Sequence, residues 1–199
     1  MPTALIIDLD GVLRHWDPAI IQAAEHDNGL PAGALTAAAF GDAGRLKAAT
    51  TGRITDDQWR AAIADELAAQ HGEGGRKAVV DWSEPCGEID AEVLDLVRDQ
   101  RAVRTVALLS NATDRLTDDL RRLGVHDEFD AIFNSWQLGV AKPDPLTFRR
   151  VHESLGRQAE DCLFVDDAAA NVEAAIALGL TGHHYRGAAG LREFLAAQS

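Results

Sequence analysis

Uninterrupted apolar runs and helical spacings alternate along most of the chain. Residues 4–7, Ala-Leu-Ile-Ile, are apolar throughout, the pattern of a strand buried on both faces of a parallel sheet. Residues 103–109 and 162–165 repeat it. Ahead of the run at 103–109, Ile89, Val93, Leu96 and Val97 share a helical stripe within 88–101. Leu116, Leu120 and Leu123 predict a helix stopped at Gly124, followed by a short strand over 129–133. Phe148, Val151 and Leu155 mark a helix ending at Gly156, and Val172, Ala175 and Ile176 one ending near Gly179. An edge strand over 181–185 and a helix over 188–197 complete the pattern. The βαβα order predicts an α/β fold, a doubly wound parallel sheet that binds ligands beyond the carboxyl ends of its strands.

Residues 16–81 break that alternation, with helical signals and no strand, and read as an inserted helical subdomain between 1–15 and 82–199. Thr55 and Gln58 form a capping-box pattern ahead of Trp59, Ile63 and Leu67, which fall on one stripe of a helix over 56–70. Shorter helices are expected over 18–27, 34–40 and 74–80, with glycine-rich joints at 41–44 and 71–75.

The 199 residues are 46% hydrophobic and 26% charged, enough apolar material for a core and too much for disorder. A formal charge of -13 opposes nucleic acid and anionic lipid surfaces as partners. It leaves room for a small phosphorylated metabolite at a site with a local cation. Cys86 and Cys162 stand apart, without zinc spacing. The first residues read as a buried strand rather than a leader, and no window nears the roughly 18 apolar residues of a spanning helix. A cytoplasmic protein is expected; its oligomeric state is not readable.

Four polar segments follow four predicted strands: Asp8-Leu9-Asp10-Gly11, Ser110-Asn111, Lys142-Pro143-Asp144 and Asp166-Asp167. A parallel sheet brings them to one crevice. If the first strand continued, Asp8 and Asp10 would point the same way and repel unless compensated. Mg²⁺ compensates such a pair, being a hard cation that takes carboxylates, waters and phosphate oxygens, and Asp167 offers a third acid. Lys142 adds a fixed positive charge, and Ser110 with the Asn111 backbone N–H can donate to phosphate oxygens. A carboxylate nucleophile, naturally Asp8, splits ester hydrolysis into two displacements through an aspartyl phosphate, with Asp10 alternating as acid and base.

Each residue also has a plainer use. Strand-end acids are often solvated; Ser110 and Asn111 suit a helix cap; Asp166 and Asp167 suit a helix start. Lys142 is one of only three lysines against sixteen arginines, which hints at a position arginine cannot fill. His183 and His184 read as structural. His15 and Trp16 stand where the insertion begins, placed either to touch a substrate or to pack the hinge. Arg45, Lys47 and Arg53, in or beside loops of the insertion, offer charge for a second anionic group.

DLDGVL, LLSNA, AKPDP and FVDDAAANVEAA, in that order, resemble the motifs of the haloacid dehalogenase superfamily across essentially the whole chain. The resemblance implies a Rossmann-like core with a small helical cap at 16–81, and Mg²⁺-dependent phosphatase activity. By residue, it implies Asp8 as nucleophile and Asp10 as acid and base, with Asp10 also meeting the metal through its carbonyl. Ser110 would hold the phosphate, Lys142 would orient nucleophile and phosphate, and Asp167 would ligate metal, with Asp166 beside it. Within the superfamily the motifs look most like the sugar-phosphate phosphatases and the amino-terminal phosphatase domain of epoxide hydrolases. The dehalogenase branch generally lacks an acid corresponding to Asp10. Phosphomutase or phosphotransferase chemistry, a 2-haloacid dehalogenase-like hydrolase and a non-catalytic phospho-acceptor module stand as alternatives, the last disfavoured because the acid pair comes last in the chain.

Overall fold

A computed structural model describes residues 1–198. The chain begins with β1 (Ala4–Ile7) and β2 (Arg14–His15), then five helices: α1 (Ala19–Asp27), α2 (Ala34–Phe40), α3 (Ala43–Thr50), α4 (Asp56–His71) and α5 (Glu73–Ser83). It continues through β3 (Glu88–Ile89), α6 (Ala91–Arg101), β4 (Thr105–Ser110), α7 (Leu116–Arg122), β5 (Ala131–Asn134) and α8 (Ser135–Leu138). Last come α9 (Pro145–Ser154), β6 (Cys162–Asp166), α10 (Ala169–Ala177), β7 (Thr181–His184) and α11 (Ala188–Ala196).

Five strands form a parallel sheet in the order β5-β4-β1-β6-β7. The apolar runs are continuous because both faces are covered. Leu5, Ile7, Leu108 and Val165 face α6, α7 and α11, whereas Ile6, Leu109 and Phe164 face α9 and α10. Ile7 stands opposite both Leu108 and Val165, and β4 and β6 run on to Ser110 and Asp166, so the carboxyl ends of β1, β4 and β6 share one rim. This is the α/β Rossmann-like architecture that the alternation predicts.

The boundaries on either side of α6 differ from the sequence pattern. The strand expected over 103–109 starts at Thr105, because the Val103 and Arg104 amides still bond Gln100 O at the end of α6. The helix expected from 88 starts at Ala91, because Glu88 and Ile89 pair antiparallel with Arg14 and His15 in a separate two-stranded ribbon, and Asp90 caps α6.

Helices α1–α5 enclose a hydrophobic cluster of their own, including Leu35, Trp59, Ile63, Leu67 and Val79. The Thr55–Gln58 capping box forms as the sequence pattern requires. The stretch read as a glycine-rich joint instead starts a helix: the Asp42 carboxylate accepts from the Gly44 and Arg45 amides, and α3 follows. Several contacts bind the insertion to the sheet rim, among them three from side-chain donors of the core. The Ser135 hydroxyl donates to Thr50 O (2.6 Å), the Trp136 indole to Ile54 O (2.9 Å), and the Thr113 hydroxyl to Asp56 Oδ1 (2.8 Å). No helix among the described residues is long and apolar enough to cross a membrane.

Candidate active site

β1 stops at Ile7, and the next residues fold tightly back: Leu9 O accepts from the Leu13 amide (2.9 Å) and the Arg14 amide (2.7 Å). Gly11, at φ +81°, makes that fold possible. The turn separates the two acids that a continued strand would have aligned. Asp8 faces the rim, while the Asp10 carboxylate turns to Arg14 and Trp16. It accepts from Arg14 Nε at Oδ1 (2.7 Å) and from Nη2 at Oδ2 (2.9 Å), and Oδ1 also takes the Trp16 indole N–H (2.8 Å). The Arg14 guanidinium lies over the Trp16 ring, 4.7 Å from its centroid.

Asp8, Lys142 and Asp166 form a buried ionic core. Lys142 Nζ sits 2.7 Å from Asp8 Oδ1 and 2.7 Å from Asp166 Oδ2, and donates to Leu109 O at 3.0 Å. Three acceptors use all three ammonium protons, a tetrahedral arrangement that a planar guanidinium cannot reproduce. Asp8 Oδ1 also accepts from the Leu9 amide (2.8 Å), which leaves Oδ2 without a donor among the described residues. Burial, reinforced by the Asp166 charge and opposed by Lys142, pushes the Asp8 carboxyl up to about 7. Asp166 is fully buried and further held by the Ala168 amide (2.8 Å) and by Asn171 Nδ2 at both oxygens (2.9 and 3.0 Å).

Asp167 completes the cluster from the more open side. Ligand oxygens of Asp8, Asp166 and Asp167 all lie within 4.8 Å of one another. Burial and the neighbouring Asp166 charge raise the Asp167 carboxyl above its ordinary range. Three hard oxygen donors, the raised carboxyls of Asp8 and Asp167 among them, beside one lysine, fit a hard divalent cation such as Mg²⁺. Gly11 makes the space, since a Cβ there would meet Asp167 Oδ2 at 2.1 Å. His184 Nε2 lies 2.8 Å from Asp167 O, so this histidine steadies the loop.

Ser110 ends β4 at the same rim with its side chain buried and free of any protein partner among the described residues. Asn111 spends its amide on the Lys142 backbone, accepting from the Lys142 N–H and donating to Lys142 O, both at 2.9 Å. The rim thus gathers Asp8, Ser110, Asn111, Lys142, Asp166 and Asp167, while the Asp10 side chain and Trp16 stand aside on Arg14. Arg45 is engaged by Glu66 (2.8 Å), and Lys47 and Arg53 border a shallow depression that also touches Asn111 and Lys142.

Arg14 and Asn171 escape a reading of the sequence because their partners come from turns and distant segments: Arg14 also reaches Asp119 (3.4 Å) and Cys86 O (3.3 Å). One signal was available for Arg14, a charged residue directly after the apolar pair Val12-Leu13. Beside Asp10, a cavity of about 410 Å³ opens between the rim and helices α1–α5.

Residues 2–179 match the family described as haloacid dehalogenase-like hydrolase. A sesquiterpene phosphatase, astK, of Aspergillus oryzae is 28% identical over 186 residues, 91% of this chain and 88% of that one. The phosphatase MT3486 of Mycobacterium tuberculosis is 38% identical over 64 residues, a match spanning 32% of this chain and only 30% of that relative. Among solved structures, the magnesium complex of the HAD family enzyme bt-2542 of Bacteroides thetaiotaomicron superposes with a TM-score of 0.74 at 25% identity, covering 93% of each chain.

Proposed function

The chain belongs to the haloacid dehalogenase-like hydrolase family, and from that premise we propose a Mg²⁺-dependent hydrolase of small phosphate monoesters working through an aspartyl phosphate on Asp8. The observation that carries this reading is the buried Asp8–Lys142–Asp166 core with Asp167 within ligand reach of both acids. Phosphatases among the relatives support phosphate as the group acted on.

Asp8 attacks phosphorus through Oδ2, the oxygen that neither Lys142 nor the Leu9 amide holds. As that O–P bond forms, the ester P–O bond breaks, and Asp10 protonates the departing alkoxide. Asp10 then takes a proton from water as the water oxygen attacks phosphorus and releases Asp8. Arg14 and Trp16 fix the Asp10 carboxylate throughout, and Asn111 fixes the backbone that carries Lys142. Ser110 donates to a phosphoryl oxygen, and Lys142 offsets charge at Asp8. Asp8, Asp166 and Asp167 would hold Mg²⁺, which supplies charge stabilisation to the transferring phosphoryl group. Helices α1–α5 act as a cap that keeps bulk water from the phosphoenzyme.

The test is phosphate release from a panel of phosphorylated sugars, nucleotides, lipids and small acids, with Mg²⁺ or EDTA, for wild type and Asp8→Asn. Release that needs both metal and Asp8 is expected, with free phosphate rather than a new ester formed when a second alcohol is present. Full activity in Asp8→Asn would sink the mechanism.

A further inference from the structure

The cavity beside Asp10 has a different chemistry from the carboxylate rim. Phe40, Trp59 and Trp82 form an aromatic wall, their ring centroids 5.7 to 6.2 Å apart, and Ile20, Ile21 and Leu46 extend the apolar lining. About 410 Å³ is the size of a small-ligand site, whereas close-packed interiors leave few voids larger than a water molecule.

Apart from Asp17, which caps the Ala19 amide, the charged groups in the lining are engaged with one another. Arg14 joins Asp10 to Asp119, Arg115 bonds Asp119 (2.8 Å), and Arg60 bonds Asp56 (2.5 Å). The Arg60 guanidinium lies 4.7 Å from the Trp82 ring centroid, its flat face spent on the aromatic wall. Of the uncharged groups, Thr113 serves Asp56 and Asn111 serves Lys142. A sugar or another hydroxyl-rich leaving group would lose water here and find few free partners. Phe40 and Trp16 of the lining are still 48% and 42% exposed, large aromatic surfaces that their protein contacts leave partly to solvent.

We propose that the leaving group is an apolar alcohol whose carbon body lies in this aromatic cavity while its phosphate meets Asp8. The assignment rests on the phosphatase reading and narrows its substrate class. Trp16 links the two regions, since its indole bonds Asp10 and its ring lines the cavity.

The test is a series of n-alkyl monophosphates from ethyl to decyl, with glycerol phosphate and a hexose phosphate, assayed for phosphate release in Mg²⁺. Burial of each methylene raises kcat/KM by about fourfold, and the rise levels off when the cavity is full. Phe40→Asp, a half-exposed position, lowers the octyl-to-ethyl ratio at least tenfold. Hydrolysis of ethyl phosphate with no gain on lengthening, or a preference for the polar esters, overturns the apolar assignment and leaves the phosphatase reading intact. No hydrolysis of any ester by the folded, Mg²⁺-supplied protein removes both.

Discussion

The Asp167 carboxylate occupies the space that a side chain at Gly11 would need: a Cβ there would stand 2.1 Å from Asp167 Oδ2. Gly11→Ala therefore pushes away one of three candidate metal ligands and strains a backbone at φ +81°. The expected result is at least a tenfold loss of Mg²⁺ affinity by calorimetry, with a stability loss of more than about 1 kcal/mol. Affinity equal to wild type would show that Asp167 is not a ligand.

Lys142 is the sole cation between Asp8 and Asp166 among the described residues. Lys142→Met leaves both buried carboxylates without it, a defect of roughly 3–5 kcal/mol for a broken buried pair. Lys142→Arg should recover little, since its donors lie in one plane. Saturating Mg²⁺ should restore part of the loss in denaturant titrations, because a divalent cation faces the same acids. A destabilisation under about 1 kcal/mol in both variants would contradict this account.

Asp8, with the likewise raised Asp167, should make metal binding depend on pH. The Asp8 carboxyl, ordinarily near 3.8, lies at about 7 in the folded protein. A raised carboxyl favours the fold at low pH, and that contribution fades as pH climbs from about 4 to 7 in the metal-free protein. Mg²⁺ must displace the same proton, so its apparent affinity should weaken by up to about tenfold per pH unit below about pH 7. Calorimetry between about pH 5.5 and 8.5 checks this, and a flat profile would refute it.

Asp10 and Asp167 should separate metal binding from proton transfer. The Asp10 side chain lies on Arg14 and Trp16, outside the three-acid cluster. Asp10→Asn should lower kcat by roughly 10²–10⁴-fold while keeping Mg²⁺ affinity within about threefold. Asp167→Ala should lose affinity outright. Equal metal loss in the two variants would put the Asp10 carboxylate among the ligands.

The residues at the ends of β1, β4 and β6 were legible in the sequence because strands buried on both faces show as unbroken apolar runs, and the polar residues directly after each run stand at the rim. Helix α4 was legible through its cap and stripe. The direction of the Asp10 side chain was not, since it depends on a turn closed by backbone bonds to Leu9. Helix α3 escaped because only Ala49 in it is fully buried, too little to make a stripe. The ribbon of β2 and β3 joins residues far apart in the chain, with two residues on each side, below any periodic signal. The aromatic cavity draws on several helices and a rim loop, so no single stretch announces it.

That ribbon also fixes how the molecule can be divided. Arg14 pairs with Ile89 and His15 with Glu88, so the chain leaves the sheet and returns to it at one place. Everything between enters and leaves the core through neighbouring ends, and the parallel sheet closes without it. Segments inserted at adjacent ends are the kind that domain insertion tolerates. We propose that residues 17–87 can be exchanged as a unit, which would trade the helical walls of the proposed chamber and keep Trp16, Asp10 and the rim acids in place.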